Sequence, residues 1–88
     1  MNITFPDEPP PHLRVPNNSV EFHAVIDGEP VINRVAVETL RSLDRTAANA
    51  LDIFAAHRDR ICTVARIKIE GGETNDTGGA DLTGVFQT

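Results

Sequence analysis

The sequence predicts a small α+β domain in which an antiparallel sheet, made of a hairpin and a C-terminal strand, packs against one long and one short helix. Three observations support this prediction. Every second residue is apolar over residues 19–26, which is typical of a half-buried strand. Apolar residues recur at steps of three and four over residues 44–70, which is typical of an amphipathic helix. With 88 residues, the chain is long enough for one core and too short for two, so 1–88 is a single domain.

The N-terminal region is predicted to contain a short strand followed by an extended arm. Ile3 and Phe5 share one face of a strand over residues 2–5, which Pro6 ends. The segment 6–18 holds all but one of the six prolines. Because proline lacks a backbone donor and restricts its neighbour, we expect a Pro-rich spacer arm over 6–18.

A hairpin is predicted to follow the arm, with strands over residues 19–26 and 31–35. Asp27 and Gly28 tolerate the positive φ angles of a tight turn. The length of the loop decides which residues of the return strand face the core. An even number of loop residues buries Val31, Asn33 and Val35, whereas an odd number buries Ile32, Arg34 and Ala36. The first register buries less charge.

Two helices are predicted after the hairpin. The short one covers residues 36–43 and begins weakly, because Ala36 cannot accept the hydrogen bonds that a capping side chain would. The long one starts with Asp44 or Thr46 as its cap and ends at Gly71. Arg58 interrupts its apolar stripe. Residues 63–70 also alternate as a strand would, but helix is favoured because no turn residue precedes them.

The C-terminal part is predicted to be a loop and a closing strand. Residues 71–79 (GGETNDTGG) have the composition of a Gly-rich flexible loop. Residues 81–87 follow with Leu82 and Phe86 on one face. We expect this strand to join the hairpin sheet.

Composition narrows the classes of partner and the compartment. The net charge is −5 and the pI about 4.9, whereas nucleic-acid binders concentrate positive charge. We therefore expect neither nucleic acid nor an anionic membrane as a partner. The lone Cys62 excludes an internal disulfide and indicates a reducing compartment. The N-terminus resembles no secretion signal, which predicts a cytoplasmic protein.

The candidate functional residues are His57, Arg58 and Cys62. Arg58 lies one helical turn before Cys62, where a guanidinium could lower the thiol pKa. His57 is five residues from Cys62, which places it elsewhere around the helix. The sequence contains no catalytic, cofactor-binding or metal-binding motif. It favours a non-enzymatic protein-interaction or regulatory module with a protein partner or self-association; the alternative is a thiol-based or redox-responsive protein using Cys62.

Five segments carry a family resemblance through their order and spacing: MNITFPDEP, VEFHAVIDGEPV, VETL, FAAHRDRI and LTGVF. In these the chain resembles the uncharacterised bacterial family catalogued as domain of unknown function 1488. Two positions depart from similar sequences: Ala36 stands where they usually have a capping Ser, and Asn33 where they often have a small or thiol-bearing residue. The resemblance implies a small bacterial α+β domain and carries over no functional residues.

Overall fold

The computed structural model describes residues 2–8, 10–15, 18–45 and 49–82, and it confirms the α+β class. The described residues form five strands and three helices. In chain order they are β1 (Ile3–Thr4), β2 (His12–Arg14), β3 (Ser19–Ile26), β4 (Glu29–Ala36), α1 (Val37–Leu43), α2 (Ala50–Ala56), α3 (Arg58–Glu70) and β5 (Asp81–Leu82). None of the described helices combines the length and apolar content needed to cross a membrane.

The sheet contains more strands than predicted and is mixed rather than antiparallel. β1 and β2 both pair antiparallel with the same edge of β3, at opposite ends of that strand. β4 pairs with the other edge of β3, and β5 runs parallel to β4. The parallel pair arises because the chain leaves β4, crosses through three helices and re-enters the sheet in the same direction. Asp81–Leu82 joins the hairpin sheet as expected; residues 83–87 of the predicted strand lie outside the described residues.

The hairpin follows the first of the two predicted registers. Ile26 pairs with Glu29, so the loop consists of Asp27 (φ 51°) and Gly28 (φ 88°). Both central residues have the positive φ of a type I′ turn. The buried residues of β4 are Val31, Asn33 and Val35.

The single long helix is the main error of the prediction. The cap is Asn49, whose Oδ1 accepts from the Asp52 N–H at 3.0 Å, and α2 ends at Ala56. Asp44, one of the two predicted caps, instead ends α1, and the other, Thr46, lies outside the described residues. His57 leaves helical geometry (φ −119°, ψ 22°) before α3 begins. The break turns the apolar faces of both helices into one core: Ile53, Phe54, Ile61 and Ala65 are all buried. Residues 63–70 are helical, as favoured, and Gly71 is the C-cap.

The Gly-rich loop is attached to the edge of β4. The Asn75 side-chain amide and the Thr77 hydroxyl each donate to the Ile32 carbonyl at 3.0 Å. A Cβ at Gly79 would collide with the same carbonyl and lie 2.9 Å from Asn33 Oδ1. Glycine at 79 is therefore required for the loop to reach β5 alongside β4.

Candidate functional site

Arg58 connects the start of α3 to the N-terminal segment. Its guanidinium donates to the Phe5 carbonyl at 2.9 Å and approaches the Pro6 carbonyl at 3.4 Å. The Asp7 carboxylate lies 3.3 Å from the same nitrogen. The Arg58 side chain is 33% exposed. The interruption of the apolar stripe is thus explained by contacts with a segment more than fifty residues earlier.

A second arginine of α3 strengthens this attachment. The Arg66 guanidinium carbon lies 5.7 Å from the centre of the Phe5 ring, within the range of a cation–π contact. The Phe5 ring also packs against Phe22 of β3, at 6.3 Å between ring centres. Phe22 in turn packs on Phe54 at 4.9 Å. The segment after β1 is therefore held between the sheet and α3.

His57 and Cys62 have surroundings distinct from those of Arg58. His57 Nε2 lies 3.0 Å from Asp44 Oδ2, which ties the α2–α3 junction to the end of α1. Cys62 is partly buried against the core. Burial raises the pKa of its thiol, and the smaller opposing influence of Arg58 and Arg66 does not reverse that direction. The structure thus brings His57 and Arg58 to one junction but gives them separate partners, and it leaves Cys62 mainly protonated at neutral pH.

An open groove lies between the N-terminal segment and α2. Its volume is about 330 Å³. We call it the arm–α2 groove; it is lined by Asp7, Pro11, Leu51, Phe54, Ala55 and Arg58. Apart from Asp7 and Arg58 at the rim, which pair with each other, the lining is apolar. The arrangement can accept an apolar side chain from another molecule.

Exposed apolar side chains lie on α2 and on or next to the strand that α2 contacts. Leu51 is 38% exposed on α2, and Leu13 is 42% exposed on β2, the strand that α2 contacts. Val15, one residue past β2, is 77% exposed. The spacer arm predicted over 6–18 includes Leu13 and Val15, but residues 12–14 form a strand. The alternation of polar and apolar residues in HLRV (12–15) is the sequence signal that indicates it.

The sheet face opposite the helices carries a row of charges. Glu21 is buried, and its carboxylate lies 3.1 Å from Arg34 Nε, 3.3 Å from His12 Nε2 and 3.9 Å from an Arg14 nitrogen. Arg34 also approaches Asp81 at 3.9 Å, and its hydrogen bond with Glu21 raises the Arg34 pKa. Because these residues sit on four neighbouring strands, the row joins β2, β3, β4 and β5. Within the described ranges, His, Cys, Asp and Glu side chains form no group suited to hold a metal ion.

Comparison with known proteins identifies the family. The family described as protein of unknown function DUF1488 matches residues 3–80. The chain belongs to the DUF1488 family. A crystal structure of a DUF1488 protein of unknown function from Shewanella loihica PV-4 has a TM-score of 0.80 at 23% identity, covering 93% of this chain and 94% of that chain. At that identity the likeness shows the fold alone. No curated protein matches the chain.

Two of the segments that carry the DUF1488 resemblance meet in the structure. The N-terminal MNITFPDEP supplies Phe5, Pro6 and Asp7, and FAAHRDRI supplies Arg58. Their contact forms the end of the arm–α2 groove. Two segments that lie far apart in the sequence and carry the family resemblance are therefore in contact in the fold.

Proposed function

We propose that this DUF1488 protein is a small non-enzymatic protein-interaction module of the bacterial cytoplasm. The observation that carries the proposal is the arm–α2 groove, whose apolar lining includes the exposed Leu51. Leu13 is a further exposed apolar side chain on β2, the strand that α2 contacts. Clustered exposed apolar side chains around a concave surface are typical of protein contact sites. A cytoplasmic location is supported by the single cysteine, which suits a reducing compartment.

The groove has the form that an interaction site needs. Phe54 forms part of its wall while being 1% exposed, so that wall is anchored in the core. The opposite wall is held by the contacts of Arg58 with Phe5 and Pro6. An apolar group entering between these walls gains about 25 cal/mol per Å² removed from water without first ordering a loose surface.

The thiol alternative receives no support from the environment of Cys62. A reactive cysteine needs a lowered pKa and access to solvent. Burial has the opposite effect on the Cys62 pKa, and His57 is engaged with Asp44. The interaction module is therefore the function that we carry forward.

Affinity capture from the lysate of the native cell tests the proposal. The bait proteins are the wild type, Leu51→Glu in the groove, and Ile67→Glu on α3 as a matched control. Ile67 is 61% exposed and is not among the groove residues, so the control makes the same chemical change elsewhere. We expect Leu51→Glu to lose partners that the wild type and Ile67→Glu retain. Identical captures from all three baits, or a monomeric wild type that captures nothing, would contradict the proposal.

A further inference from the structure

Acidic residues directly follow lining residues of the arm–α2 groove on both of its sides. On the N-terminal segment, the exposed Glu8 follows Asp7. On α2, the exposed Asp52 follows Leu51. Asp52 accepts a hydrogen bond from the neutral side-chain amide of Asn49 at 2.8 Å, which leaves its charge in place. The Glu8 and Asp52 carboxylates form no ion pair with a cation in the described part of the chain.

The cations close to the N-terminal segment are engaged with other groups. Arg58 pairs with Asp7 at 3.3 Å, so that these two charges offset each other at the rim of the groove. Arg66 lies over the ring of Phe5. The basic residues of β2 pair with the buried Glu21 on the opposite face of the sheet. The charge balance around the groove is therefore negative, in a chain whose net charge is −5.

The size of the groove suits one large apolar side chain. A cavity of about 150 Å³ holds a benzene ring, and the groove has a volume of about 330 Å³. Its lining includes Leu51, which is 38% exposed, and Phe54, which is 1% exposed. An apolar side chain that enters the groove is removed from water, while the residues next to it in its own chain meet the acidic surroundings.

We propose that the arm–α2 groove binds a short segment of a partner protein in which a large apolar side chain is flanked by Lys or Arg. The apolar side chain fills the groove, and the basic side chains meet Glu8 and Asp52. The inference rests on the proposed interaction role and names the chemistry of the partner. Opposite charges speed association and disfavour acidic competitors, which include a second copy of this acidic chain.

Selection from a phage-displayed library of random short peptides, with the immobilised wild-type protein as bait, tests the inference. We expect the enriched peptides to share one large apolar residue with Lys or Arg on one or both sides. The most enriched peptide is then synthesised, and its dissociation constant is measured by fluorescence anisotropy. We expect this constant to rise with salt concentration, because salt screens charges that are exposed to solvent.

Uncharged variants test the apolar contact. Leu51→Gln should raise the dissociation constant of the peptide about tenfold or more. Ile67→Gln makes the same chemical change at an exposed residue of α3 outside the groove lining and should leave the constant unchanged.

A second set of variants tests the charges. Glu8→Gln combined with Asp52→Asn should raise the dissociation constant about three- to tenfold. Glu70→Gln combined with Glu73→Gln changes the net charge equally at exposed positions outside the groove lining and should have no effect. A peptide with Gln in place of its basic residues should bind more weakly and should no longer distinguish the Glu8→Gln, Asp52→Asn variant from the wild type.

The contrary outcomes separate this inference from the proposed function. Enriched peptides without Lys or Arg, or binding that Glu8→Gln with Asp52→Asn leaves unchanged, overturn the basic segment; if that binding still depends on Leu51, the interaction role stands. Equal binding by the wild type and Leu51→Gln shows unspecific attraction to an acidic protein and overturns the groove as the site. A Leu51-dependent dimer of the wild type in sedimentation equilibrium overturns the basic segment in favour of a second copy. Failure to enrich any peptide overturns the inference, and identical captures from the three lysate baits then overturn the interaction role as well.

Discussion

Replacing the buried Asn33 with Ala is expected to lower the free energy of unfolding by about 2–4 kcal/mol. Asn33 is fully buried on β4. Its amide nitrogen donates to the Phe22 carbonyl at 3.3 Å, and its Oδ1 accepts from the Ala80 N–H at 2.9 Å. The side chain thus links β3 to the residue that leads into β5.

The two hydrogen bonds contribute unequally to this magnitude. The backbone groups of Ile32 and Arg34 bond toward residues 75–80, so the backbone of Asn33 faces β3 and Phe22 keeps a ladder partner in the variant. The N–H of Ala80, a fully buried residue, is left without its partner, which costs about 1–3 kcal/mol. Loss of the bond to Phe22 adds about 1 kcal/mol. For a chain of this size the melting temperature should fall by about 10–25 °C.

Thermal and chemical unfolding followed by circular dichroism measure the effect. Asn33→Asp is the diagnostic companion, because it keeps the acceptor for Ala80 but loses the donor and buries a charge. Burial raises the pKa of such an aspartate above its unfolded value. The stability of the Asn33→Asp variant relative to the wild type should therefore be greatest at low pH and fall as the pH rises through the folded pKa of the aspartate. An Asn33→Ala variant within about 0.5 kcal/mol of the wild type would refute the assigned role of the two bonds.

Three further changes are expected to give measurable results. Ala36→Ser supplies the missing cap of α1 and should raise stability by about 1 kcal/mol in the same melts; an unchanged melting temperature would show that the cap is not limiting. Cys62 should react with a thiol reagent at pH 7 at least about tenfold more slowly when folded than in denaturant, since burial raises its pKa; equal rates would contradict that burial. Arg58→Ala should speed backbone hydrogen exchange in residues 3–8 while leaving β4 protected, as mass spectrometry can show; unchanged exchange would mean that Arg58 does not hold this segment.

The parts of the fold set by local chemistry could be predicted from the sequence. Asp27-Gly28 determines the hairpin turn. The cost of burying a charged side chain favours the register that places Val31 and Val35 inside. The weak start of α1 also follows from one residue, since Ala36 has no acceptor. These features depend on neighbours in the sequence and on the alternation of apolar residues.

The features that depend on distant contacts could not be predicted. His57 is neither glycine nor proline, so the break between α2 and α3 has no local signal and arises from packing both helices on one core. The direction of β5 depends on the path of three helices. The sequence indicates Arg58 as a candidate residue but not its partners Phe5 and Pro6. These partners, and one wall of the groove, belong to an N-terminal segment that was predicted to be a strand followed by a spacer arm.

The prolines around β2 also bear on how the protein behaves when concentrated. An open edge strand with free backbone donors can recruit further chains into a growing cross-β ladder. Here the edge is three residues long, starts directly after Pro11, and carries the charged or polar His12 and Arg14. Replacing Pro10 and Pro11 with Thr would lengthen that edge and restore its donors. The native prolines are thus expected to disfavour the addition of further chains at this edge.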